Sequence, residues 1–249
     1  MLKQERHSLI LTEINAHNKV HSTDLSIKLN VSEDTIRRDL KELSEEGLIK
    51  KVHGGAMSNP STPLGVRNQD ISNRSERLEI AKKAYLSIEN NSVLILEGEE
   101  TGSLLVEALP KDLSITVFTN SIPIASRLYE YQNIETFLLG GKLSQKKQST
   151  TGMDVIQALS GIHADICFME VPGIHADIGI TEFDKEYAAT KKAMIKAATN
   201  LSVLCLSKDI GSIQPFKVES TEHVKTLITE LPPHHHLMRP FRSKGVEIL

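Results

Sequence analysis

VSEDTIRRDLKELSEEGLIKKVHGGA, residues 31–56, is the stretch on which the reading of this chain turns. Ile36, Leu40 and Leu43 recur at i, i+4 and i+7, the spacing of one buried helix face, which predicts a helix from about Glu33 to Leu43. Ser32 stands where an N-cap belongs, and Glu33 and Asp34 suit the positive end of the helix dipole. At about 100° per residue, Arg38 points almost directly away from the apolar stripe. Thr35 and Arg37 fall on opposite shoulders, with Asp34 and Lys41 flanking. An arginine can grip guanine bidentately or pair with a phosphate, and a helix of this size fits the major groove. Gly47 is expected to end the helix as C′. Residues 48–52 then read as a strand and His53-Gly54-Gly55 as a turn, a wing that offers Lys50, Lys51 and His53 to phosphates.

Upstream, a helix near 3–17 would bury Ile10, Leu11 and Ile14, and one near 22–29 would bury Leu25 and Leu29. Asn30 tolerates the left-handed backbone of a tight turn between helices. Helix, helix, turn, capped basic helix and wing make a winged helix-turn-helix over residues 1–57, with double-stranded operator DNA as partner. Charge alone does not argue for this. Residues 1–56 hold nine Lys or Arg against nine Asp or Glu, and the whole chain carries a formal charge of −3. A helix with outward charges is ordinarily just solvated, so the order of elements carries the reading. Such proteins commonly dimerise on half-sites about one helical turn apart, so a homo-oligomer is expected.

Downstream, residues 58–74 are rich in Ser, Asn and Pro and read as a linker. From Ser75 the pattern changes. Apolar runs at 93–96, 115–118, 134–139, 166–169, 201–206 and 227–229 alternate with helical stretches near 76–87, 102–109, 122–130, 152–160 and 184–199. Residues 246–249 add a candidate last strand. The fold class is therefore α/β: a winged helix-turn-helix, then a mainly parallel-sheet domain over 75–249 for effector sensing and oligomerisation. Trp is absent and aromatics are 4%, so the core must be aliphatic. Cys167 and Cys205 sit in apolar runs and read as buried thiols of a reducing cytoplasm. No run approaches the roughly 18 apolar residues of a membrane span, and the N-terminus lacks the apolar region of a signal peptide, so no membrane role is expected.

At Thr35–Leu40 (TIRRDL) and His53–Ala56 (HGGA) the chain resembles the DeoR-type winged helix-turn-helix. In that family the helix carrying the paired arginines is the recognition helix. The resemblance implies DNA contacts by Thr35, Arg37 and Arg38, while Asp39 would orient an arginine or a backbone group. With the cap and the wing, the candidate set is Ser32, Thr35, Arg37, Arg38, Lys41, Lys50, Lys51 and His53. Residues 80–84, 96–98, 119–121, 139–141, 179–181 and 207–208 resemble the DeoR effector domain, whose fold is similar to ribose-5-phosphate isomerase. The resemblance implies a repressor of a carbohydrate-metabolism operon, released by a phosphorylated sugar or similar metabolite.

In an open α/β sheet, ligands bind outside the carboxyl ends of the strands. Glu97, Gly98 and Thr101, then Thr119 and Asn120, then Gly140 and Gly141, and finally Lys208 follow successive predicted strands. They are the candidate effector residues, although Gly, Asn and Ser also serve ordinary turns and caps. The family's first loop resembles Asp-x-Gly-Thr-Thr-Thr, whereas this chain has Glu99 and Glu100 in place of a glycine and a threonine. Cys205 also stands where the family usually has an aspartate. Two carboxylates would repel a phosphate, so the effector is read as absent, neutral, cationic or bound in a changed pose. His234-His235-His236 reads as a solvated loop, His175 and Asp177 as an irregular loop, and Glu186 and Lys191 as solvent-facing. No catalytic residue, metal or cofactor is expected. Two alternatives stand: an isomerase-like enzyme using Glu97, Asp165 or Glu186 as base, and a DNA-binding regulator without a small-molecule effector.

Overall fold

The structure, a computed structural model, describes residues 3–17, 19–45, 48–58, 73–98 and 100–249. Gly47, Glu99 and most of the 58–74 stretch lie outside them, and with them the C′ and linker expectations. The chain divides into two compact units, Met1–Arg74 and Ser75–Leu249.

The first unit runs α1 (Lys3–His17), β1 (Lys19–His21), α2 (Ser22–Leu29), α3 (Glu33–Glu45), β2 (Ile49–Val52) and β3 (Gly55–Ser58). Its core is the expected aliphatic set: Ile10, Leu11, Ile14, Leu25, Ile36, Leu40 and Leu43 are buried, joined by Ile49 and Ala56. Leu29 is only partly buried. Asn30 adopts φ 50°, ψ 51°, the left-handed turn its side chain tolerates. β1 was not anticipated. Three residues without a turn signal leave no periodicity to read, yet they pair antiparallel with β3, giving a sheet of order β1-β3-β2. The paired glycines therefore differ in role. Gly54 makes the wing turn at φ 77°. Gly55 lies in β3, where a Cβ would collide with Val20 O.

The second unit runs α4 (Arg74–Tyr85), β4 (Val93–Glu97), α5 (Thr101–Ala108), β5 (Ile115–Thr119), α6 (Ile122–Leu128), β6 (Ile134–Leu138), β7 (Lys142–Ser144), β8 (Ser149–Thr151), α7 (Met153–Leu159), β9 (Ala164–Glu170), β10 (Ile174–His175), β11 (Gly179–Glu182), α8 (Lys185–Lys196), β12 (Ala198–Leu204), β13 (Phe216–Glu219), β14 (Thr226–Ile228), α9 (Arg239–Arg242) and β15 (Glu247–Ile248). Seven strands form one parallel sheet of order β15-β14-β12-β9-β4-β5-β6. Both faces of the central strands are covered, which is why they read as continuous apolar runs, while Phe137 and Leu138 on the edge strand β6 stay exposed. Along β4, Leu94 and Leu96 pack with Ile80, Leu105 and Ile124 on one face. Ile95 packs with Val155, Met194 and Val203 on the other. The two cysteines are buried free thiols, and burial pushes both up in pKa.

The strand order fixes where a ligand site belongs. From β4 the chain first winds outward through β5 and β6, then returns to the other side of β4 with β9. The winding direction changes between β4 and β9, and open sheets bind ligands at the carboxyl end of that switch.

Candidate DNA interface and sensor crevice

In the first unit, Ser32 Oγ accepts the Thr35 N–H at 3.2 Å and meets Thr35 Oγ1 at 2.9 Å, so both residues form the cap of α3. Arg37 and Arg38 are exposed and differ in their surroundings. Arg37 is tied to its own helix, to Glu33 at 3.1 Å and Asp34 at 3.5 Å. Arg38 lies opposite the buried stripe and has no carboxylate partner among the described residues. Lys41 lies near Glu45 at 3.7 Å. Lys50, Lys51 and His53 are exposed on the wing. Lys50 and Lys51 are neighbours on one strand, opposite Met57 and Ala56, so their side chains leave on opposite faces of the hairpin. The wing therefore does not present both lysines on one side.

Asp39, also on α3, is turned inward and is only 2% exposed. Arg6 of α1 holds it with two guanidinium nitrogens, Nε donating to Oδ2 at 2.5 Å and Nη2 to Oδ1 at 2.9 Å, and His7 Nε2 lies 3.1 Å from Oδ1. Burial alone would raise the Asp39 carboxyl, but Arg6 and His7 outweigh it and leave it below its ordinary value. Asp39 thus orients an arginine from another helix, fixing the angle of α3 to α1. His7, Asp39 and Glu42 bring ligand-type atoms within 4.8 Å of one another. Arg6 and Lys3 already balance the two carboxylates, Lys3 at 2.7 Å from Glu42. The cluster is an ion-pair network.

In the second unit, the candidate effector residues follow the carboxyl ends of four strands, Glu97, Gly98 and Thr101 at the β4–β9 switch itself, Thr119 and Asn120 after β5, Gly140 and Gly141 after β6 and Lys208 after β12, and most are already engaged. Glu97, at the end of β4, is 2% exposed. Its Oε1 accepts from Tyr187 OH at 2.6 Å, and its Oε2 accepts from Glu170 N at 3.1 Å. Burial raises Glu97, with Lys191 and Tyr187 opposing. Lys191 is not solvent-facing, which corrects the sequence reading. It is 2% exposed, donates to Glu182 at 2.8 Å and to Glu170 O at 2.7 Å, and lies 3.8 Å from Glu97. Burial would lower Lys191, but Glu97 and Glu182 outweigh it and raise it. Glu182, despite its own burial, is lowered by Lys191. Glu186 is exposed as expected, 3.0 Å from Lys142.

Thr119 and Asn120 serve the loop after β5. Thr119 Oγ1 accepts from Ser121 N at 3.1 Å, and Asn120 Nδ2 donates to Thr150 O at 2.8 Å. Asn120 Oδ1 is buried without a hydrogen-bond partner among the described residues. Gly141 holds φ 153° where a Cβ would press on Thr151 O and Val155, whereas Gly140 is open. Lys208 is exposed on a short turn after β12. Asp165 lies at the opposite, amino end of β9, accepting from Val93 N at 2.8 Å. His234 and His236 are exposed and His235 is partly so, but the stretch is not all loop: His236–Met238 form a short 3-10 turn capped by His235, whose Nδ1 accepts from Leu237 N at 3.4 Å.

The feature unseen in the sequence is Arg77 of α4. It reaches Glu100 at 2.8 Å, donates to Thr101 Oγ1 at 2.8 Å and grips Glu170 Oε1. Glu170 Oε2 in turn accepts the Thr101 N–H at 3.1 Å, at the start of α5. Gly98, at φ 131°, makes room: a Cβ there would stand 2.9 Å from Glu170 Oε2. The contacts of Arg77 span 24 and 93 residues, so no local pattern could announce them.

Comparison with known proteins gives the family of both units. Residues 6–62 match the DeoR-like helix-turn-helix domain, and residues 72–231 match the DeoR C terminal sensor domain. The HTH-type transcriptional regulator GolR of Listeria innocua is 31% identical over 250 residues, covering 100% of this chain and 98% of the relative. The glycerol-3-phosphate regulon repressor of Escherichia coli is 27% identical over 251 residues, covering 100% and 99%. Among solved structures, ribose 5-phosphate isomerase A of Methanocaldococcus jannaschii aligns over 55% of each chain with TM-score 0.41 and 15% identity.

Proposed function

This chain belongs to the DeoR family of helix-turn-helix transcription regulators, and on that premise we propose that it represses a carbohydrate-metabolism operon by laying α3 in the major groove of operator DNA. Residues 1–57 bind DNA, 58–74 link, and 75–249 sense a small metabolite and oligomerise. The observation that carries the reading is the division of labour on α3. Ser32 caps it, Ile36, Leu40 and Leu43 bury one side, Asp39 locks its orientation, and Arg38 is left opposite the core with no carboxylate partner among the described residues. Thr35, Arg37 and Lys41 border Arg38, and Lys50, Lys51 and His53 reach the flanking backbone. The wing lysines serve different phosphates because they leave the hairpin on opposite faces.

Sugar-related regulation is supported by the relative named for a glycerol-3-phosphate regulon. No helix among the described residues is long and apolar enough to cross a membrane, consistent with work in the cytoplasm. A regulator rather than an enzyme is supported by the three carboxylates that an isomerase would draw on. Glu97 is sealed, Asp165 lies at the wrong end of its strand, and Glu186 is exposed beside Lys142.

The test is selection of bound fragments from the host genome followed by gel-shift titration. Arg38→Ala should cost about 1–3 kcal/mol of operator affinity and relax specificity at one base position. An unchanged titration with a folded variant removes Arg38 from base recognition.

A further inference from the structure

The carboxyl end of the β4–β9 switch, where the strand order calls for a ligand crevice, holds the two donors an oxyanion would need: the first N–H of α5, from Thr101, and the guanidinium of Arg77. Neither is idle. Glu170, which ends β9, gives one carboxylate oxygen to Thr101 N–H and the other to Arg77, while Glu100 takes a second edge of Arg77 at 2.8 Å. Gly98 leaves a gap for the Glu170 side chain, whose Cβ and Oε2 both lie 2.9 Å from where a Gly98 Cβ would stand. Glu170 is also fixed from behind, its N–H bonded to Glu97 and its C=O to Lys191.

We infer that Glu170 is a built-in anion surrogate: its carboxylate fills the oxyanion subsite of the crevice, with Glu100 holding Arg77 to it, so that phosphate-bearing ligands are shut out. The inference rests on reading this crevice as the sensor's ligand site. It assigns specificity to two named carboxylates. The class admitted is a neutral or cationic metabolite, because an anion must displace a carboxylate tied down by a helix N-terminus, a guanidinium and two backbone bonds. Net charge around the subsite agrees. Glu97, Glu100, Glu170 and Glu182 face Arg77, Lys191 and Lys147, the last 3.7 Å from Glu182, which leaves one more carboxylate than cations.

The experiment uses the full chain and inorganic phosphate followed by phosphorus NMR and calorimetry. Wild type should show no saturation at millimolar phosphate. Glu170→Gly opens the subsite, and Glu170→Gln removes the charge while keeping the shape. Each should bind phosphate at least about tenfold more tightly than wild type, a difference of about 1.4 kcal/mol. Adding Arg77→Met to Glu170→Gly should remove the gain. Thermal melts establish that each variant is folded, and the near-isosteric Gln variant covers the case in which the Gly variant is not. Saturable phosphate binding by wild type overturns the inference, as does failure of folded Glu170→Gln to bind more tightly. Gel shifts on the same proteins test the regulator separately. Phosphate binding gained without operator release leaves the surrogate standing and sinks the crevice as effector site. No operator binding by wild type sinks the regulator reading alone.

Discussion

Replacing Asp39 with alanine should unfold the DNA-binding unit more effectively than any change on the outer face of α3. Asp39 has 3% of its side chain exposed and Arg6 has 12%, so both charges of the pair are largely out of water. Removing one partner of a buried pair costs about 3–5 kcal/mol, mostly because the other charge is left stranded. Arg6 can regain some hydration from its slightly greater exposure, which places the expected loss near the lower end, about 3 kcal/mol. That is a large share of the roughly 5–15 kcal/mol by which a domain is stable. The control is Glu42→Gln, which breaks the Lys3–Glu42 pair one turn further along. Those side chains are 59% and 40% exposed, and such pairs are worth about 0–1 kcal/mol. Urea unfolding of the full chain gives the totals. Hydrogen exchange over residues 33–45 shows whether the loss falls on α3. A loss below about 1 kcal/mol for Asp39→Ala, or one equal to that of Glu42→Gln, would refute the claim that a buried pair sets the angle of α3.

The wing offers a cleaner electrostatic reading: Lys50→Ala should weaken binding to all sequences alike and lower the salt slope by about 1, and an unaltered slope takes Lys50 off the phosphates. Lys191→Met strands Glu97 and Glu182 and should cost about 3–5 kcal/mol, with Glu182→Gln in the same chain recovering part of it; additive losses in denaturant melts would deny the coupling. Asp39 and Glu182 are held below their unfolded values near 4, so their stabilisation is complete above that pH and is lost as pH falls through the folded values. Glu97, raised by burial, contributes with the opposite sign, its share fading as pH rises through its folded value. Melting temperature should therefore drop as pH falls below about 4, more shallowly in Asp39→Asn, and identical acid slopes would contradict this.

Most of the architecture was readable because local rules and the global fold agree. Ile36, Leu40 and Leu43 announce α3, Asn30 its turn and Ser32 its cap, and the apolar runs from Val93 onward announce a sheet covered on both faces. β1 was not legible, because three residues cannot establish a period. The crevice was half legible. Its loops could be placed by their glycines and threonines after strands. Its electrostatics could not, because Arg77–Glu170 and Tyr187–Glu97 join residues about ninety positions apart. Lys191 illustrates the difficulty. Tyr187 and Lys191 stand at i and i+4 on α8, a spacing shared by solvated and buried polar pairs alike, and only the packing of α8 over the strand ends decides between them.

β1 gives the DNA-binding unit its mechanical character. One antiparallel sheet joins the α1–α2 corner to the wing through β3, and Leu48 N donates to Leu43 O at 3.0 Å, tying the wing's root to α3. The span from α3 to wing tip is therefore preset, as on a caliper locked before measuring. Any mismatch between that span and a stretch of DNA must be absorbed by the duplex, through its bend and groove width. Operators that yield easily at the right steps will be chosen over stiff ones with the same contacted bases.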